Sequence, residues 1–332
     1  MNPEKLKLYL LLSTGIILFL TQNYSYAQND TSEAGEEKSD TTEIWKAGGL
    51  ASLTFNQTSL SNWVKGGESS VSGTGVFNFS ADYNKENLSW ENTIDLAYGL
   101  LTSDQYSARK TEDKIDINSK VGYKAVQNLF YTGLVNFKSQ FYNGYDYPND
   151  SVKVSDFFAP AFLITSLGMD YKVSDNFSIY LSPVTGRFIF MLDDQLANAG
   201  AYGVDPAKVD SNGNIIKEGE QIKPAFGAYL TCQLKYEVME NVNFKSKLEL
   251  FNNFTDPDKS NRKNIDVNFE TTVFLKVNEF ISANIFFQMI YDHEQKVPVY
   301  RRINGVKTQI DSEPRLQIKQ VLGLGIAYNF KI

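Results

Sequence analysis

The chain has 332 residues, 42% of them hydrophobic and 21% charged, with a net charge of −7, one histidine and one cysteine. An acidic balance argues against a nucleic-acid partner, since phosphate backbones are bound by clustered Lys and Arg, and the lone Cys232 excludes an internal disulfide. Beyond residue 27 no run approaches the roughly eighteen apolar residues of a transmembrane helix, so any crossing of a membrane must be made by strands closed into a barrel.

At the N-terminus, Lys5 and Lys7 precede an apolar run from Leu8 to Leu20, and Ser25-Tyr26-Ala27 follows before Gln28. A short basic region, an apolar stretch too short to span a bilayer and small residues at alternate positions predict a secretory signal peptide over 1–27. Without it the charge is −8, from 30 basic and 38 acidic residues. Residues 28–43 hold Asp, Glu, Ser, Thr, Gly and Lys with almost nothing apolar, the composition of a disordered tail that cannot offset its ordering entropy.

From Trp45 onward the pattern is two-residue alternation, which gives a strand one apolar and one polar face. Val71, Phe77, Phe79, Ala81 and Tyr83 alternate with Ser72, Thr74, Asn78, Ser80 and Asp82. The last segment is the clearest, with Leu322, Leu324, Ile326, Tyr328, Phe330 and Ile332 on one face and Gly323, Gly325, Ala327, Asn329 and Lys331 on the other. An aromatic terminal strand of this kind resembles the signal read by barrel-assembly machinery. Twelve segments are predicted, near 44–56, 70–83, 88–101, 112–124, 129–142, 158–172, 177–192, 224–238, 242–255, 264–277, 280–292 and 316–331. They exceed the usual soluble strand of about five or six residues and suit tilted membrane strands.

Five connections are tight, and four of them start from Tyr and close with Asn before an apolar residue, as in Tyr83-Asn84-Lys85-Glu86-Asn87-Leu88. Tyr83, Tyr123, Tyr171, Tyr236 and Tyr328 are therefore expected at one depth, as an interfacial girdle on the turn side. The intervening connections, near 57–69, 102–111, 143–157, 193–223, 256–263 and 293–315, are longer. The alternation predicts an all-β fold: one closed antiparallel transmembrane β-barrel with short periplasmic turns, long extracellular loops and both ends of the barrel domain (44–332) in the periplasm. A soluble β-sandwich or ligand-filled barrel fits less well, because so many large aromatic and aliphatic side chains would overfill an interior.

On the inward face the pattern places Glu91, Asp95, Asp116, Lys120, Lys235, Lys245, Lys247, Glu249, Asp266 and Glu270, together with Asp82, Asp170, Glu237, Lys124, Lys138, Lys276 and Lys319. These charges either line a polar pore or pair with one another and fill it. His293 is the one histidine, at the edge of a loop in Tyr291-Asp292-His293-Glu294, and no recognisable serine motif accompanies it. A lipid-acting enzyme of the Ser–His–Asn kind is the weakest reading. Asp210-Ser211-Asn212-Gly213-Asn214 has its glycine at the wrong offset for an EF-hand and reads as a type I′ turn, as do Asn143-Gly144 and Asn304-Gly305. The last is expected at the tip of a hairpin, Val299–Ile303 with Val306–Ile310. No pattern points to a cofactor or metal.

The first long loop is the distinctive one. It contains Ser61-Asn62-Trp63-Val64-Lys65-Gly66-Gly67-Glu68, after Trp45 and Gly48-Gly49 in the strand before it. The chain from Trp45 to Ile332 resembles a family of Gram-negative outer-membrane barrel proteins described only as a domain of unknown function, most specifically at Asn62, Trp63, Gly66 and Gly67. The resemblance implies a fold and a location, with no activity, catalytic residue or ligand. Outer-membrane lipid, the assembly machinery and proteins at the surface loops are the expected partners. Passive channel for small solutes and structural or accessory subunit of a larger envelope complex are the two leading expectations for function.

Overall fold

The computed structural model describes residues 44–59, 69–147, 149–174, 176–278, 281–303 and 306–332. The signal peptide, the tail and the Asn62-Trp63-Gly66-Gly67 stretch lie outside the described residues. Twelve long strands follow one another: β1 (Trp45–Thr58), β2 (Ser70–Lys85), β3 (Leu88–Ser103), β4 (Arg109–Val126), β5 (Leu129–Ser139), β6 (Ala161–Ser174), β7 (Phe177–Phe190), β8 (Ile222–Met239), β9 (Val242–Asn253), β10 (Asp266–Lys276), β11 (Ile281–Tyr291) and β12 (Gln317–Lys331). Each pairs antiparallel with the next, and β12 pairs with β1 from Gly48↔Lys331 to Thr54↔Gly325, closing the barrel. Closure leaves no open sheet edge, which a bilayer does not tolerate.

The recurrent turns are tied to one another through the backbone. The carbonyls of Asn87, Asn128, Asn176 and Asn241, the residues that close four of the hairpins, accept the N–H of Lys124, Lys172, Lys235 and Lys276 on the neighbouring strand, each at 2.8 Å. Asn128 takes a left-handed conformation (φ 64°), which asparagine adopts more readily than most residues.

One strand breaks phase. Pro183 cannot donate to the ladder, and the pairing of β7 shifts on both sides, between Leu167 and Met169 of β6 and between Gly227 and Tyr229 of β8. Ser182 Oγ fills the gap, donating to the Leu167 carbonyl at 2.7 Å and accepting the Val184 N–H at 3.3 Å. β6 and β7 come so close beside the bulge that a Cβ on Gly168 would sit 2.2 Å from the Leu181 carbonyl oxygen. Below the bulge Tyr180 and Ser182 are buried inward; above it Thr185, Arg187 and Ile189 are.

The loop end is more ordered than its sequence suggests. Residues 193–223 form a short helix, Asp194–Asn198, capped by Asp193 Oδ1 accepting the Leu196 N–H at 2.9 Å, and a small hairpin of Lys208–Val209 with Ile215–Lys217. Ala159, Met191, Leu196, Ala197 and Val204 make a small core there. The hairpin expected around Asn304-Gly305 is present as Lys296–Ile303 paired with Val306–Pro314, its tip lying outside the described residues. The other two turns differ from type I′, which needs positive φ at both central residues. At Asn212-Gly213 only Gly213 is left-handed (φ 87°), and Asp210 Oδ1 organises the turn by accepting the N–H groups of Asn212 and Asn214. Neither Asn143 nor Gly144 has positive φ, and Gly144 instead opens a two-residue strand against Ser155.

Candidate functional site in the lumen

Outward-facing side chains are apolar all round the barrel and exposed, with Leu167 68%, Val184 66% and Leu322 75% accessible. At the turn end Tyr83, Tyr123, Tyr171, Tyr236 and Tyr328 face outward, joined by Trp45, Trp90 and Tyr131. Trp45 packs edge-on against Tyr83 at 5.1 Å and lies 5.9 Å from Trp90. Trp90 Nε1 donates to Ser119 Oγ, which donates to Asn92 Oδ1, so the Trp90 ring N–H and the Ser119 hydroxyl are satisfied on the outer face. An apolar belt of this extent has no stable place in water, and a belt bounded by aromatic rings matches a bilayer.

The inward face carries charges in three tiers. Nearest the turns, Lys120 Nζ bridges Glu91 (3.0 Å) and Asp170 (2.8 Å), and Lys172 reaches Glu91 at 2.7 Å. At mid-height Glu249 is a hub, accepting from Lys138 (2.7 Å), Lys247 (2.8 Å), the Tyr229 hydroxyl (2.6 Å) and Asn268 (2.7 Å). Beside it Lys114 pairs with Glu270 at 3.3 Å and with Asp116 at 3.7 Å. These two clusters lock together, because Asn268 Nδ2 donates both to Glu249 (2.7 Å) and to Glu270 (3.1 Å). The mid-height tier also holds an inward apolar cluster of Leu134, Tyr180, Ala225, Tyr229 and Phe251.

Several contacts cross the lumen instead of running along a wall. In the closed order β4 and β10 stand six strands apart, on opposite walls, and Lys114–Glu270 joins them directly. Lys138–Glu249 joins β5 to β9, and Lys319–Glu112 joins β12 to β4 at 2.6 Å. Side chains therefore close the barrel across its diameter at mid-height.

The outer tier is centred on Arg187, whose guanidinium lies 4.3 Å over the Phe251 ring and pairs with Asp266 (2.7 Å), Glu294 (3.4 Å) and Asp292 (3.9 Å). Glu294 also meets Lys223 at 3.0 Å and Asn253 Nδ2 at 3.1 Å. It sits at the root of the Lys296–Pro314 hairpin and so latches that hairpin to the rim at β7, β8 and β9. Burial raises the Glu294 pKa, but Lys223 and Arg187 outweigh it and hold the carboxyl below its ordinary range. A depressed carboxylate contributes stability above that range and loses it as the pH falls. Glu294→Gln is expected to loosen the hairpin at neutral pH. A nitroxide on Arg302→Cys, in a Cys232→Ser background, checks this: its motion should quicken on acidification in the wild-type latch and be quick at every pH in the variant.

All ten sequence-predicted lumen charges lie on inward positions. Glu91 and Lys120 meet in the turn-end tier; Asp116, Lys247, Glu249 and Glu270 meet at mid-height; Asp266 joins the outer tier. Asp95 is bonded by Asn78 Nδ2 at 2.6 Å, and Lys235 and Lys245 stand opposite each other on neighbouring strands. His293 takes its place through its backbone N–H, which donates to Asp266 Oδ1 at 3.2 Å. Sequence reasoning missed Arg187, because strict alternation from Tyr180 turns it outward and only Pro183 signals the phase change. It also missed the inward aromatics Tyr229 and Phe251, which break the rule of polar side chains facing inward.

A closed twelve-stranded barrel with an apolar belt, an aromatic girdle and a charged interior defines an integral outer-membrane β-barrel protein. Within that class, residues 55–145 match the model of a family described as a protein of unknown function (DUF3078). That segment runs from the end of β1 past β5, a narrower span than Trp45 to Ile332. No curated protein matches the chain. Among solved structures it is similar to the COG4313 outer membrane channel from Pseudomonas putida F1, at 12% identity over 90% of this chain and 100% of that one, with a TM-score of 0.37. It is also similar to the translocator domain of the autotransporter NalP from Neisseria meningitidis, at 8% identity over 88% of this chain and 90% of that one (TM-score 0.36).

Proposed function

We propose that the protein is an outer-membrane conduit for small polar solutes, with its turn end in the periplasm and its lumen shut at mid-height by ion pairs. The observation that carries this reading is the Lys114–Glu270 contact between opposite walls, set in a lumen lined with charge from one end to the other. Paired charges spanning a lumen are a gate: the same groups that hold it shut provide polar walls once they part. The reading assigns no catalytic role to His293. It leaves outer-membrane lipid around the belt and the barrel-assembly machinery as the partners of biogenesis.

A second reading, a structural or accessory subunit of an envelope complex, is favoured by the folded elements at the loop end, since long loops on a rigid scaffold are where binding residues concentrate. Planar-bilayer recording separates the two. The wild type is expected to open rarely and briefly, and the double variant Lys114→Ala/Glu270→Ala to show long-lived openings. Removing both partners strands neither of them, and Asp116, which loses its 3.7 Å contact with Lys114, keeps the Asn136 amide at 2.7 Å, so the barrel should still fold. Silence from a variant that shows the heat-modifiable gel migration of a folded barrel overturns the conduit and favours the subunit.

A further inference from the structure

Most inward charges are matched within hydrogen-bonding distance. The rim residues Lys46, Lys124, Glu237, Lys276 and Lys331, each within two positions of a strand end, stand apart from this. Away from the rim, four inward charges have no ion pair among the described residues: Asp82, Asp95, Lys235 and Lys245. Their placement is ordered. Asp82 and Asp95 lie on the adjacent strands β2 and β3, and Lys235 and Lys245 on the adjacent strands β8 and β9. In a ring of twelve, β2 faces β8 and β3 faces β9. One wall of the turn-end half of the lumen thus carries two carboxylates and the other two ammoniums. Each acts electrostatically across the gap, Lys235 on Asp82 and Asp95 on Lys245.

The basic side is costly to keep. Lys235 and Lys245 are direct cross-strand partners, and like charges directly opposite one another destabilise a sheet. Both are solvent-exposed, in contrast to the buried Lys120 a short distance away. Two exposed ammoniums held side by side form a fork for a carboxylate, while on the facing wall Asp82 (opposite Glu91) and Asp95 (opposite Asn78) are separate acceptors, each able to take an ammonium.

We infer that the turn-end half of the lumen binds small zwitterionic solutes, the solute carboxylate on Lys235 and Lys245 and its ammonium on Asp82 or Asp95. A solute with one charge satisfies one wall and leaves the other unmet. The site names the solute class of the conduit proposed above and rests on that reading for how solute arrives, while binding itself does not depend on the gate opening.

Saturation-transfer NMR on the folded barrel in detergent tests it, with 6-aminohexanoate as the zwitterion and acetate and ethylammonium as single-charge controls. The zwitterion should bind about tenfold more tightly than either control, as expected for two charge-assisted contacts against one. Lys235→Gln/Lys245→Gln should abolish binding of the zwitterion and of acetate. That variant relieves a repulsion, so it should fold. Asp82→Asn/Asp95→Asn should bring the zwitterion down to the affinity of acetate. Equal binding of zwitterion and acetate to the wild type would identify an anion site and overturn the inference, as would absence of binding to a barrel shown to be folded. Binding without conductance in the Lys114→Ala/Glu270→Ala variant would instead keep this site and remove the conduit.

Discussion

Glu249→Ala is expected to lower the stability of the barrel by about 3–5 kcal/mol, the range found when one partner of a buried ion pair is removed and the other left uncompensated. Glu249 is 6% exposed and accepts from four donors, two of them lysines. Without it Lys138 and Lys247 share one stretch of lumen with no carboxylate between them, and the buried Tyr229 hydroxyl loses its acceptor. Glu249→Gln should fall between, because an amide oxygen still accepts from Tyr229 but carries no charge. Urea unfolding from lipid vesicles, followed by tryptophan fluorescence, measures the effect. The reference is Glu220→Ala, which breaks an exposed, solvent-screened pair with Lys217 and should leave the unfolding midpoint essentially where it is. Equal midpoint shifts in the two variants would show that the mid-height network does not hold the barrel together.

Tyr328→Asp/Phe330→Asp is expected to abolish assembly, and Gly49→Val to impair it severely, since both act on the seam where the ring closes. Phe330 stacks near Phe77 (6.2 Å) and Phe79 (6.4 Å) of β2, with its ring lying across Gly49 of β1 between them. A Cβ on Gly49 would come within 2.6 Å of the ring and 2.3 Å of the Asn78 carbonyl, so the glycine is the space the aromatic occupies. An aromatic covering a bare strand position pins register there. Aspartates at 328 and 330 remove that lock and put charge on a lipid-facing row, at a depth-dependent cost of up to a few kcal/mol. Loss of the heat-modifiable folded band is the expected result, and normal migration of the double variant would contradict the seam argument.

Much of the architecture was legible in the sequence because strands on a bilayer obey a two-residue rule. The lipid side demands apolar side chains along the length of each strand, so Leu322, Leu324, Ile326 and Tyr328 announce their face without knowledge of any neighbour. The repeated Tyr-to-Asn connections located the turns for a similarly local reason, even though the Asn carbonyl bonds to the next hairpin only when the ring is built. Misreadings arose where local signals have more than one solution. Asn212-Gly213 and Asn143-Gly144 look alike as dipeptides, yet Asp210 reshapes the first turn and pairing with Ser155 draws the second into a strand. The helix at Asp194–Asn198 is too short to leave a periodic pattern and is held by its cap and the small core around Met191.

By itself, the sequence determined the strand count, the face most strands turn to lipid, the alternation of short and long connections and most of the charges that point inward, though not Glu112, Lys114, Lys172 or Arg187. These follow from the chemistry of single residues against a fixed solvent. Which charges meet was decided only by the tertiary structure. Lys114 and Glu270 are 3.3 Å apart across six strands and 156 residues of chain, and no spacing rule connects them. The same closure joins Lys138 to Glu249, sends Arg187 inward past the Pro183 bulge, and leaves Asp82 and Asp95 facing Lys235 and Lys245 with no ion pair among the described residues. Alternation gives the direction of a side chain but says nothing of what stands opposite it. That depends on the number of strands in the ring and the register at which the ring closes.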